Sequence, residues 1–291
     1  MSILRNIVVD NAAKMRVGME SRDGGYVGGV RFPGALNFQR GLSFMFFGRD
    51  DAENEQRVQE MQVGPINPDK RSKSTRLSTP GANRHGDVVI DLHPFLDSFD
   101  DMVYVGEAQG WGTIYCDHGA IFRVNPVKEG FGEDVRGELE ICGAMRGAEL
   151  PGLQIPLKRM DRDTHGHPYH VGKIQFPGVI NLELGATFRL ADDVLHIEML
   201  DERHRFRGRN GGSGVYSKFG KNVIPLQRGY HEYVGEVCSP NILDCTHGYF
   251  FTIFTSRPGQ EQVQMGRLEH GPRRRRPEAK EDSAPRWGKV G

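Results

Sequence analysis

Cysteine and histidine in a short Cys-x-His-Gly arrangement occur twice in this chain, as Cys116/His118 and as Cys245/His247. Thiolate and imidazole are good zinc ligands, so the pair invites a metal reading. Read as strand, residues two apart project to the same face, and Glu107 or Glu236 could add an oxygen ligand. Each copy supplies only two soft ligands, so a closed tetrahedral site would need all four to converge. The competing reading is a buried cysteine beside a histidine that closes a glycine turn. A Cys–His nucleophile pair needs a geometry that sequence adjacency does not create.

A second cluster, DTHGHPYH at Asp163–His170, holds His165, His167 and His170. A His-x-His pair opens the metal motif of cupins, but a glutamate should follow about four residues on. This chain continues Val-Gly-Lys-Ile instead. A polar linker or a pH-sensitive contact competes with the metal reading. Zinc or another divalent ion is the cofactor these residues would take, and the rest of the chain implies none. Arg205–Lys221 is Gly-rich and basic, yet it has neither a following helix pattern nor a phosphate-loop motif, and reads as surface loop.

The elements around these residues come in two copies. VGGVRFPGALNFQRGLSF at Val27–Phe44 recurs without gaps as VGKIQFPGVINLELGATF at Val171–Phe188. YVGEAQGWGTIYCDHGAIF at Tyr104–Phe122 recurs as YVGEVCSPNILDCTHGYFF at Tyr233–Phe251. The block order is the same in both halves, which points to an internal duplication. The first copy is longer between its blocks. Its extra length falls at about residues 50–85, a polar, Pro- and Ser-containing stretch that reads as a long exposed loop.

Period-two alternation at Val30, Phe32, Leu36 and Phe38 around Pro33-Gly34 predicts strand–turn–strand, with a type II turn at Pro-Gly. Repeated Gly41/Gly185 predicts a further turn or bulge. Strands are also expected at Val88–Leu92, Ile114–Cys116, Ala120–Val124, Glu138–Cys142, Val194–Met199, Val223–Leu226 and Tyr249–Phe254. Short helices are expected at Ala52–Gln62 and Ile3–Met15. The expected class is all-β: two tandem homologous β-sandwich or β-barrel modules with little helix. Their bounds are 1–155 and 156–265, followed by an extended basic and polar tail at 266–291.

Lys plus Arg equals Asp plus Glu, 38 of each, so the net charge is zero. That gives no global case for nucleic acid or an anionic membrane. No apolar run approaches a membrane span, and the N-terminal apolar run is too short for a secretory signal. Four cysteines in 291 residues make a disulfide framework unexpected. Synthesis in a reducing cytoplasm is expected, with incorporation into a virion as one destination. In the tail, Arg273, Arg274, Arg275, Arg276 and Trp287 form a candidate partner-binding segment.

Three functions compete. A structural or assembly subunit, of the kind found in virus particles or phage tails, would form homo-oligomers or bind neighbouring subunits. A bicupin-like metal enzyme would use the cysteines and histidines above. A small-ligand-binding module would use a pocket between the copies.

Overall fold

The computed structural model describes residues 14–48, 59–66, 77–78, 80–82, 84, 86–94, 102–126, 137–145, 149–161, 166–200, 215–216, 222–256, 259 and 261–267. These residues are all-β, with 3-10 turns as the only helix among them. None of their helices is long and apolar enough to cross a membrane. Expected strands appear at Val194–Met199 and Tyr249–Phe254 with the bounds the alternation suggests, and the others within a few residues.

The first half contains β1 (Met15–Arg22), β2 (Gly25–Val30), β3 (Gly34–Asn37), β4 (Leu42–Gly48), β5 (Glu60–Pro65) and β6 (Leu77–Ser78). It continues with β7 (Gly81–Ala82), β8 (Val88–Pro94), β9 (Met102–Ala108), β10 (Thr113–Tyr115), β11 (Ala120–Pro126) and β12 (Gly137–Gly143). The second contains β13 (Leu153–Met160), β14 (Tyr169–Ile174), β15 (Gly178–Asn181), β16 (Ala186–Ala191), β17 (Val194–Met199) and β18 (Val215–Tyr216). After it come β19 (Asn222–Pro225), β20 (Gln227–Arg228), β21 (Tyr233–Val237), β22 (Ile242–Asp244), β23 (Tyr249–Phe254) and β24 (Gln262–Arg267). The expected module boundary at 155/156 thus falls inside β13.

Eight strands of the first half close a ring of antiparallel ladders in the order β1, β2, β11, β12, β8, β9, β4, β5 and back to β1. Closure leaves no free edge in the barrel wall. The second half follows the same order through β13, β14, β23, β24, β19/β20, β21, β16 and β17. Here β19 pairs with β24 and β20 with β21, and only Leu226 separates the two. In the first half β8 alone bridges both neighbours, through Val88–Leu92 and His93–Pro94.

Registers agree between the halves. Gly28 faces Phe122 as Gly172 faces Phe251, and Phe44 faces Gly106 as Phe188 faces Gly235. The barrels are filled rather than hollow: Phe44, Phe46, Phe122, Phe188 and Phe251 are fully buried. Each such ring contributes about 1.5–3 kcal/mol from lost water contact. One continuous apolar cluster runs through both halves.

Two expectations need correction. The residues 60–62, expected at the end of a helix, are the start of strand β5. Met61 and Val63 alternate into the core and pair with Val17 and Met15, so tertiary burial overrides local helix propensity. The Ile3–Met15 helix lies outside the described residues except at its end, where Lys14 is in a bend and Met15 opens β1. The second correction concerns Pro33-Gly34 and its counterpart Pro177-Gly178. Neither glycine has a positive φ, so neither turn is type II. What requires glycine there is close backbone approach: a Cβ on Gly34 would come within 2.1 Å of the Val179 carbonyl oxygen, and one on Gly178 within 2.2 Å of that of Ala35.

Candidate functional site

That close approach is the joint between the halves. Strands β3 and β15 pair antiparallel with Ala35 opposite Val179, Leu36 opposite Gly178 and Gly34 opposite Ile180. Matching positions of the repeated block therefore face each other across a local two-fold. Asn37 N–H donates to the Pro177 carbonyl at 2.8 Å, and Asn181 N–H to that of Pro33 at 2.7 Å. The rings of Phe32 and Phe176 meet edge-on at 6.1 Å. A second crossing pairs Arg16 of β1 with Gln154 of β13.

Strands β10 and β22 flank the joint, giving a four-stranded sheet ordered β10, β3, β15, β22. The repeated residues that looked chemical shape this sheet. Asn37 and Asn181 cap 3-10 turns at Phe38–Arg40 and Leu182–Leu184, their side chains accepting from Gln39 and Glu183 N–H. Gly41 and Gly185 end those turns at φ 77 and 81, a conformation glycine adopts without strain.

The Cys-x-His-Gly motif makes the matching turn after β10 and β22. Cys245–His247 is a 3-10 turn, and in both copies the glycine N–H donates back to the cysteine carbonyl, at 3.1 and 3.0 Å. A turn of this kind does not place residues two apart on one face. Cys116 and Cys245 point into the core, while His118 and His247 are exposed. Each thiol lies near a backbone carbonyl, that of Ile114 at 3.8 Å and Leu243 at 3.6 Å. Burial pushes both thiols far above their ordinary range, and a neighbouring aspartate adds to it. Held protonated, they act as small apolar groups.

The other candidates are scattered. His170 sits on β14 with its Nε2 3.0 Å from Asp193 Oδ1, and His167 is half-buried in the preceding segment. His165, Arg273, Arg274, Arg275, Arg276 and Trp287 lie outside the described residues. Among the described residues no group of three or more His, Cys, Asp or Glu is placed to hold a metal ion.

What the joint sheet does present is a surface. Residues opposite one another in register share a face, so Leu36, Ile180 and Leu243 line its inner side and are buried. The outer side carries Tyr115, Ala35, Val179 and Asp244 in one row, with Thr113 beside Asn37 and Ile242 beside Asn181. Tyr115 is 65% exposed, Ile242 54% and Trp111, in the bend before β10, 91%. Arg40 Nη1 reaches Asp244 Oδ2 at 3.7 Å.

Half-burial opposes ionisation of Asp244. Hydrogen bonds from Thr246, with Arg40 and His247 close by, outweigh that and hold its carboxyl below the usual carboxylate range. Trp111, Tyr115 and Ile242 escape a search for reactive side chains. The copies differ at every position between Ala108–Tyr115 and Val237–Asp244, where Trp111 aligns with Pro240 and Tyr115 with Asp244, so residue type alone does not single them out. No protein-family description, curated protein or solved structure matches this chain.

Proposed function

We propose that the protein is a structural or assembly subunit in which a duplicated β module forms a fused pair, of the architectural kind used in virus particles and phage tails. Shared registers in the two halves support the duplication. So does the way matching positions meet at Ala35/Val179, as they would in a dimer whose subunits became one chain.

The observation that carries the assembly reading is the set of large apolar side chains left in water at the joint sheet: Tyr115 and Ile242 on its two edge strands and Trp111 in the bend before β10. Exposed aromatic groups grouped on one face mark contact surfaces. Met145 and Tyr230 add exposed apolar area elsewhere. The twin Cys-x-His-Gly turns favour a structural role over the metal-enzyme alternative, because the thiols serve the core and the imidazoles face away from them.

Light scattering and electron microscopy of the purified full chain over a rising concentration series test this. Particles of several chains, with a regular outline, are expected. A single-chain mass throughout would overturn homo-assembly as the function.

A further inference from the structure

We propose that copies of this chain join head to tail through the joint sheet, the outer edge of β22 in one copy pairing antiparallel with the outer edge of β10 in the next. This rests on the assembly reading and specifies its contact.

The two edges are available and matched. Among the described residues no strand pairs with the outer side of β10 or β22. In an antiparallel ladder, alternate residues turn their N–H and C=O to opposite sides. Cys116 N–H bonds inward to Gly34, and Gly112 C=O accepts inward from Phe38. Thr113 and Tyr115 therefore direct their backbone groups outward. Likewise the carbonyls of Asn241 and Cys245 accept inward, from Leu182 and Phe176, so Ile242 and Asp244 direct theirs outward. Each edge is three residues long and offers two outward residues.

Strand direction alternates across β10, β3, β15 and β22. A β10 edge placed beside β22 in the same sense as in its own copy is thus antiparallel to it, continuing the pairing that already joins the halves through β3 and β15. In the register that aligns the outward residues, Ile242 faces Tyr115 of the next copy and Asp244 faces its Thr113. An apolar side chain meets an aromatic ring, and a carboxylate meets a hydroxyl. Leu243 and Ile114 fall opposite each other and extend the inner row. The self-paired alternatives fit less well, since β22 against β22 would set Ile242 against Asp244. Only Asp244 among the four outward residues carries charge, and Arg40 engages it. A three-residue contact is weak singly, so closure of a ring, in which each copy is held by two contacts at once, supplies the strength.

Tyr115→Lys and Ile242→Lys test the contact, because each places a cation at one edge only and both sites are exposed. Native chain should have a mass of several chains, and either variant alone should fall to one chain with its far-ultraviolet circular dichroism unchanged. An equal mixture of the two variants should associate no further than two chains, since each retains only the edge the other has lost. Should a lysine variant fail to fold, Tyr115→Cys/Ile242→Cys in a Cys238→Ser background should crosslink between copies under mild oxidation. Absence of that ladder in a chain that still self-associates would overturn the contact.

A native chain that stays single overturns both this contact and homo-assembly. A native chain of several copies that neither lysine disperses overturns the contact alone and leaves the assembly reading standing. Dispersal by only one of the two lysines would show that edge pairing with itself and would also overturn the head-to-tail arrangement.

Discussion

The two ends of the joint sheet share a backbone and differ in what they display. Next to β3, the outer positions are Thr113 and Tyr115; next to β15, the matching positions are Ile242 and Asp244. Beneath them the same cysteine, glycine and phenylalanine positions recur. Inner residues answer to packing, which is the same problem in both halves. Outer residues answer to whatever lies outside, and there the halves differ. Residues that hold the fold thus separate from residues that face outward, without any reactive centre to guide the division.

If the joint is a shared packing problem, the strongest way to break it is at the glycines of closest approach. Gly34→Ala and Gly178→Ala each drive a methyl into a backbone carbonyl that cannot swing aside. Each should destabilise by several kcal/mol, above about 3, as overpacking at a rigid contact does. Gly18→Ala is the control, since nothing lies within 4 Å of its added methyl, and should change stability by less than about 1 kcal/mol. Urea unfolding of the three variants measures this. Equal losses at 34 and 178 would mean that both sides bear the joint alike, whereas a loss at one alone would break the symmetry.

The caps sharpen the same comparison at lower energy. Asn37 and Asn181 each accept from the N–H two residues on and present their own N–H to a proline carbonyl of the other half. Replacement by alanine removes the side-chain cap but keeps the backbone bond. Each variant should lose about 1 kcal/mol in denaturant unfolding. Replacement by aspartate retains the acceptor and should recover most of it.

These asparagines also mark how far the sequence could be read. Alternation placed most strands because each has one face on a packed core. The repeated Gly41/Gly185 announced a turn, since a positive φ leaves a trace in residue type. Pro33-Gly34 misled because glycine serves two ends: it permits a positive φ, and it removes a side chain where two backbones touch. Only the pairing of β3 with β15 tells which, and that contact joins residues far apart in the chain. The Cys-x-His-Gly motif misled for a related reason. On a strand its side chains would share a face, and in the tight turns it forms here they separate. Trp111, Tyr115 and Ile242 carry no motif at all, and their meaning lies in exposure, which residue type alone does not encode.

Outer-face interactions should weigh less than inner ones. Arg40 and Asp244 are both partly exposed, so their ion pair should contribute about 0.2–1 kcal/mol. A double-mutant cycle with Arg40→Ala and Asp244→Asn measures the coupling, and half-molar salt should shrink it. The matching position in the other half is Tyr115, so no counterpart of this pair exists there.

The smallest expected effects separate by pH. Asp244 titrates below its ordinary value in the fold, so the unfolded chain binds its proton first as pH falls. Its contribution is present above the ordinary carboxylate range and is lost as pH drops through its folded value. His196 lies in the wall of the second barrel, opposite Arg189 and Gln154. Burial, helped by Arg189, holds its imidazole below the usual histidine value despite Glu198, Glu232 and Asp192 nearby. Its neutral form is favoured in the fold, so stability declines as pH falls through the unfolded histidine value and levels off below the folded one. Asp244→Asn should flatten the acidic limb of a stability–pH curve, and His196→Gln the limb beginning near the ordinary histidine range. In the first half Tyr115 stands in place of Asp244 and Gln62 beside Arg16 as His196 stands beside Gln154. Neither the histidine nor the carboxylate has a counterpart at those positions, so pH should loosen the second half first. Amide exchange resolved along the chain between pH 7 and pH 5 reads this directly: protection should fall in β16 and β17 before β4 and β5. Loss of protection at the same pH in both pairs would mean that the halves open together, as one core shared across Phe32 and Phe176 also permits.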